Sequence, residues 1–145
     1  MNAGRFAIAV LLAGFGGVLA FAPAQERVLD TPAAQLPAAE PLGVTKTANI
    51  AYRDDEDADP ERHRLDVYAP QGQKGFPVLF FVHGGTWKSG NKNLYAALGN
   101  TFARTGIGVV IINYRLSPKV VHPAHVEDVA RAFAWTREHI REYGG

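Results

Sequence analysis

Two runs in this chain, PVLFFV (Pro77 to Val82) and GVVIINY (Gly108 to Tyr114), are continuously apolar and do not alternate. A strand with one wet face alternates apolar and polar residues, so unbroken runs of this length suit strands covered on both sides, as in a parallel sheet flanked by helices. The segment between them predicts a helix capped by Asn91 or Asn93, with an inward stripe of Leu94, Ala97, Leu98, Thr101 and Phe102 and with Gly106 near its end. Strand, helix, strand at this spacing is a βαβ unit of right-handed crossover.

Upstream, TANIAYR (Thr47 to Arg53) and RLDVYAP (Arg64 to Pro70) flank the polar stretch DDEDADPERH and predict an outer antiparallel pair. Asp55, Asp57 and Asp59 sit at alternate positions, as in a calcium loop. Pro60 stands where that loop needs glycine and Asp66 where a bidentate Glu belongs, so the stretch reads as a solvated turn. Downstream, a last helix is predicted from Pro123, with Glu127 and Asp128 near its positive end, a stripe of Val126, Val129, Ala130, Phe133 and Ile140, and Gly144 and Gly145 as its stop.

Composition bears on partners and compartment. Of 145 residues, 47% are hydrophobic and 20% charged, with a net charge of +1, so neither sign favours nucleic acid or an anionic membrane as a partner. There is no cysteine, which removes disulfides, thiolate metal sites and a cysteine nucleophile. Arg5 precedes an uncharged run from Phe6 to Ala22, and Ala22-Pro23-Ala24 before Gln25 forms an A-x-A site, so residues 1–24 read as a signal peptide and the protein as exported, to the periplasm or beyond. An uncleaved anchor is the competing reading; the run is short for a span and carries Gly14, Gly16 and Gly17. Residues 25–46 read as an Ala/Pro-rich linker, and 47–145 as the folded domain.

The chemistry centres on HGGTWKSGNK, which follows directly on PVLFFV. Two adjacent glycines at the carboxyl end of a central parallel strand sit where open α/β sheets bind ligands. Their N–H groups suit an oxygen that gains negative charge. The dipeptide by itself reads rather as a tight turn that needs glycine for sterics. In combination with NYRLSP (Asn113 to Pro118) and HPAHVEDVARAFAWTREHIREYGG, however, it resembles the N-terminal half of an α/β-hydrolase esterase. The branch it is most similar to carries an H-G-G-x-W loop and includes feruloyl-esterase-like and kynurenine-formamidase-like enzymes, near the carboxylesterase and hormone-sensitive-lipase types. The resemblance covers about Thr47 to Gly145 and implies a partial α/β-hydrolase fold, mostly parallel, with an N-terminal antiparallel hairpin and the C-terminal half missing.

The same resemblance makes Gly84 and Gly85 the oxyanion-hole donors, His83 a support for their loop, and Trp87 a wall of the substrate pocket. Asn113, Tyr114 and Arg115 match a structural turn with no catalytic role. It implies acyl-enzyme hydrolysis of carboxylic esters or small amides, with no cofactor and no metal. The serine of a G-x-S-x-G turn, the acid and the base are expected beyond Gly145. Ser89 and Ser117 lack the flanking glycines, and Asp128 and His139 read as the polar face of the last helix. His122 and His125 have metal-ligand spacing without an evident third ligand. The chain as written is therefore expected to be inactive, and, with Pro77–Val82 as a bare edge, to be marginal alone and to need the lost half, a partner, or self-association through that strand. The alternative reading is a noncatalytic binding module, or a truncated gene product, with an α/β half-sheet.

Overall fold

The computed structural model describes residues 40–145; the expected signal peptide and most of the expected linker lie outside them. Four strands, β1 (Val44–Ala51), β2 (Arg64–Pro70), β3 (Val78–Val82) and β4 (Gly108–Ile112), combine with helices α1 (Ala96–Arg104) and α2 (Ala124–His139). Single 3-10 turns, Lys92–Tyr95 and Ile140–Tyr143, lead into α1 and out of α2. The sheet order is β1-β2-β4-β3. β3 and β4 pair in parallel, while β1 with β2 and β2 with β4 are antiparallel. The α/β architecture and the βαβ unit follow the sequence reading.

Alternation of side chains explains why the apolar runs do not alternate in character. Val110 and Ile112 of β4 point with Leu65 and Val67 into a cluster that includes Ala132 and Ile140, on the α2 side. Val109 and Ile111 point with Tyr68 the other way, against Ala103 of α1. Both faces of β4 are covered, so every position must be apolar.

The inward faces of both helices follow the predicted stripes only in part: Leu98, Val129, Phe133 and Ile140 pack against the sheet, but the most deeply buried positions are others. In α1 the buried positions are Gly99 and Ala103, while Phe102, and Leu94 in the turn before the helix, are exposed. Tyr68 causes this: its fully buried ring fills the space below the helix, and a Cβ on Gly99 would lie 2.6 Å from a ring carbon. Only small residues allow the helix to approach that closely. In α2 the buried line is His125, Asp128, Ala132 and Thr136, and Val126 faces outward. Here the inward face is polar because it meets the backbone and side chains of the strand-end loops as well as the sheet.

β1 starts at Val44, inside the expected linker, and ends before Arg53. Its register shifts between Thr47 and Ile50, where Asn49 adopts φ of 58° and its N–H donates to Asp66 Oδ1 at 2.9 Å. Asp66 lies on the α1 side of β2 and is completely buried. Lys92, at 2% exposure, reaches it with Nζ at 2.6 Å from Oδ1 and donates also to Asn49 Oδ1 at 2.8 Å. Lys46 approaches the other carboxylate oxygen at 3.1 Å. Burial raises the Asp66 pKa, but the hydrogen bonds from Lys92, Asn49 and Lys46 outweigh it and the net direction is down.

Candidate active site

β3 releases the chain at His83 into a loop that runs to Asn91, where the Asn91 side chain caps the next turn by accepting from Asn93 N–H at 2.8 Å. His83 is buried, its ring stacked on Tyr114 at 4.4 Å, and its Nδ1 lies 2.9 Å from the Gly84 carbonyl. A carbonyl only accepts, so Nδ1 carries the proton. Tyr114 returns the support by donating its hydroxyl to the His83 carbonyl at 2.8 Å. Burial pushes the His83 pKa down, which keeps the ring neutral.

Gly85 has φ of 124°, and a Cβ there would fall 2.2 Å from the Ser89 carbonyl oxygen. Its own carbonyl accepts from Lys88 N–H at 3.0 Å and Ser89 N–H at 3.1 Å, which folds the loop back on itself. Gly84 is exposed, with nothing within 4 Å of its Cβ position. Among the described residues, no acceptor takes the N–H of Gly84 or of Gly85. Thr86 and Trp87 follow with φ of 51° and 63°, a conformation that costs a non-glycine residue about 1 kcal/mol or more. The Trp87 ring is 45% exposed, edge-on to Tyr114 and tilted over His125, each at 5.4 Å.

The described cavities flank this loop and do not open on the two glycines. One, of about 650 Å³, is lined by Asn49, Arg64, Lys92 and Asn113 among others; a second, of about 300 Å³, touches Lys88, Ser117 and Lys119.

Neither serine is set up as a nucleophile. Ser89 is exposed and donates to the Gly85 carbonyl at 3.3 Å. Ser117 Oγ lies 3.2 Å from His125 Nε2, a pairing the sequence spacing did not reveal, but it also donates to the Val120 carbonyl at 3.0 Å. With its proton engaged there, Oγ accepts from the imidazole, the reverse of what a general base requires. His125 is buried against Trp87 and Ser117, while His122 is exposed. His139 is bound to Glu142 at 2.9 Å on the surface.

Asp128 is the largest departure from the sequence reading. It is completely buried, not part of a solvated face. Its Oδ2 accepts from Arg115 N–H at 3.0 Å and Nε at 2.8 Å, and its Oδ1 from Arg115 Nη2 at 2.7 Å. His63, also completely buried, places Nε2 at 3.1 Å from the same Oδ1. The Asp59 N–H donates to His63 Nδ1 at 2.7 Å, so Nε2 carries the proton and the ring is a neutral bridge from the β1–β2 loop to α2. The pair looks like half of a catalytic triad, but no serine approaches the ring and both its nitrogens are engaged.

The network predicts acid sensitivity. Burial holds the His63 pKa below its ordinary value near 6.5 against the raising effect of Asp128, so the unfolded chain binds its proton first as pH falls. Stability from this group is complete above about pH 6.5 and is lost as pH drops toward the folded-state pKa. A second loss follows below about pH 4, where the carboxylates with lowered pKa values protonate; Asp59 is held at about 2 because Lys119 and the N–H groups of Arg62 and Glu61 outweigh its desolvation. Urea midpoints measured from pH 8 to pH 3 are expected to fall in those two steps, with the upper one reduced in His63→Gln. A flat profile between pH 7 and pH 5 would contradict the assignment.

Comparison with known proteins agrees with this frame. The family model BD-FAE matches residues 65–145. The chain is 50% identical over 70 residues to the "Probable carboxylic ester hydrolase LipM" of Mycobacterium tuberculosis, covering 48% of this chain and 16% of that protein. It is 40% identical over 87 residues to the carboxylic ester hydrolase LipN of the same organism, covering 59% of this chain and 22% of the relative. Among solved structures, esterase B from Lactobacillus rhamnosis superposes with a TM-score of 0.63 at 25% identity, over 70% of this chain and 32% of the other. The chain thus spans about a fifth of the length of those two relatives and a third of that structure. With β3 leading into His-Gly-Gly, the βαβ unit and the matched residues taken together, the chain belongs to the BD-FAE family of α/β-hydrolase carboxylic ester hydrolases.

Proposed function

We propose that the loop from His83 to Gly90 is the oxyanion-binding part of an exported serine hydrolase acting on carboxylic esters or small amides through an acyl-enzyme. The observation that carries this reading is the pair of Gly84 and Gly85 N–H groups, left without internal acceptors at the carboxyl end of β3. Donors fixed in advance of the reaction stabilise a tetrahedral oxyanion more than the ground-state carbonyl, which is how they accelerate the step. His83 supports the loop from below, and Trp87 offers an aromatic wall beside it. The nucleophile, acid and base would come from sequence other than the described residues, because Ser89 and Ser117 have no base to activate them.

The test uses the chain as it is. No turnover of p-nitrophenyl acetate above a heat-treated control is expected from the 145-residue polypeptide. Saturable turnover blocked by an organophosphate that labels Ser89 or Ser117 would overturn the assignment of roles. We further propose that β3, which pairs only with β4 among the described strands, is the edge through which copies of this chain associate.

A further inference from the structure

We infer that Arg62 is a positioning residue for the glycine loop: from the neighbouring β1–β2 loop its guanidinium fixes the Gly90 carbonyl, and through Gly90 it sets the placement of His83 and Gly84. The inference rests on the proposed function only for the loop's purpose; the mechanical claim stands on geometry.

The β1–β2 loop gives Arg62 a firm base. Asp59 Oδ1 accepts the N–H groups of Glu61 and Arg62 at 3.0 and 2.9 Å, and His63 N–H donates to the Asp59 carbonyl at 3.0 Å. Asn113, just past β4, donates from Nδ2 to the Glu61 carbonyl at 3.2 Å. The Tyr52 hydroxyl reaches the Arg62 carbonyl at 3.3 Å and the Asn113 carbonyl at 2.9 Å. From this backbone Arg62 Nη1 crosses to the Gly90 carbonyl at 3.0 Å, a contact between residues 28 apart in sequence. Its other charged neighbour, Glu61, is exposed and 3.8 Å away, too loose to compete.

Gly90 transmits the constraint because it lies directly against the site. A Cβ there would fall 2.3 Å from His83 Nδ1 and 2.6 Å from the Gly84 carbonyl oxygen. Gly84 itself has no packing neighbour on its Cβ side, so side-chain burial cannot hold it. Besides the aromatic packing of His83 and Trp87, three polar ties hold the loop from outside: the Arg62 bond at Gly90, the Tyr114 hydroxyl at the His83 carbonyl, and Ser117 N–H donating to the Trp87 carbonyl at 2.8 Å. Of these ties the Arg62 bond alone carries a charge, and charge-assisted hydrogen bonds are the stronger class.

Backbone amide exchange of the 145-residue chain, followed by NMR, tests this in Arg62→Gln and Arg62→Lys. In Arg62→Gln the Lys88 and Ser89 amides, both bonded to the Gly85 carbonyl, are expected to exchange roughly tenfold faster, and the Gly84, Gly85 and Gly90 resonances to move. Arg62→Lys, which keeps one charged donor, should recover part of that protection, while Val110 and Ile111 in β4 stay protected in both. Loop amides that do not change, or that change only in step with β4, overturn the inference. No ester enters the measurement, so its failure is separable from failure of the hydrolytic reading.

Discussion

Asp128→Ala is expected to destabilise the domain by about 3–5 kcal/mol, the cost of removing one partner from a buried charge pair. The substitution leaves Arg115 without the three donations it makes to the carboxylate and His63 Nε2 without an acceptor, and His63 is completely buried. A domain of this size has roughly 5–15 kcal/mol in total, so the variant should sit near the edge of folding. Asp128→Asn keeps the shape and one acceptor oxygen and should lose less. Urea denaturation followed by circular dichroism decides the matter: a change below about 1 kcal/mol for the alanine variant would mean that water replaces the carboxylate at no cost.

The second large effect is on chemistry. On the proposed oxyanion role, Gly85→Ala is expected to lower kcat on a small ester by roughly 10²–10³-fold, the range for loss of one such donor, in a catalytically competent polypeptide carrying this segment. The added methyl would strike Ser89 backbone atoms, at 2.2 Å for the oxygen and 2.7 Å for the carbon, and backbone cannot swing aside as a side chain can. The φ of 124° is also one that alanine resists. Gly84→Ala is the control within the same dipeptide: its Cβ meets nothing within 4 Å, so kcat should change by only a fewfold. Equal losses at the two positions would show that the steric account of Gly85 is wrong.

The elements were legible where one physical rule dominated. Contact on both faces dictates the run in β4, which is buried throughout, and in β3, which is half-buried throughout, and turn residues located α1 between these strands and α2 after them. The helix faces were legible only in part: Leu98, Val129 and Ile140 of the predicted stripes do pack inward, but apolar periodicity assumes that the inward side is the greasier one throughout. Around Tyr68 the inward side of α1 had to be small, and along α2 it had to be polar to reach Arg115 and His63. Buried polar partners far apart in sequence leave no local signature: nothing near Asp128 announces a histidine 65 positions earlier. Inside the candidate site, the glycine pair could be placed on the strand end from sequence alone. Its bracing by Arg62, the Ser117–His125 contact and the left-handed turn at Thr86 and Trp87 depend on tertiary approach, and only the fold reveals them.

β4 has a strand on each side and a helix over each face, and none of its five residues reaches solvent. No part of it can peel away while its neighbours remain in place. Its opening therefore coincides with collapse of the whole domain, and the loops gathered at its carboxyl end ride on the most cooperative piece of the molecule, free to adjust without loosening their foundation.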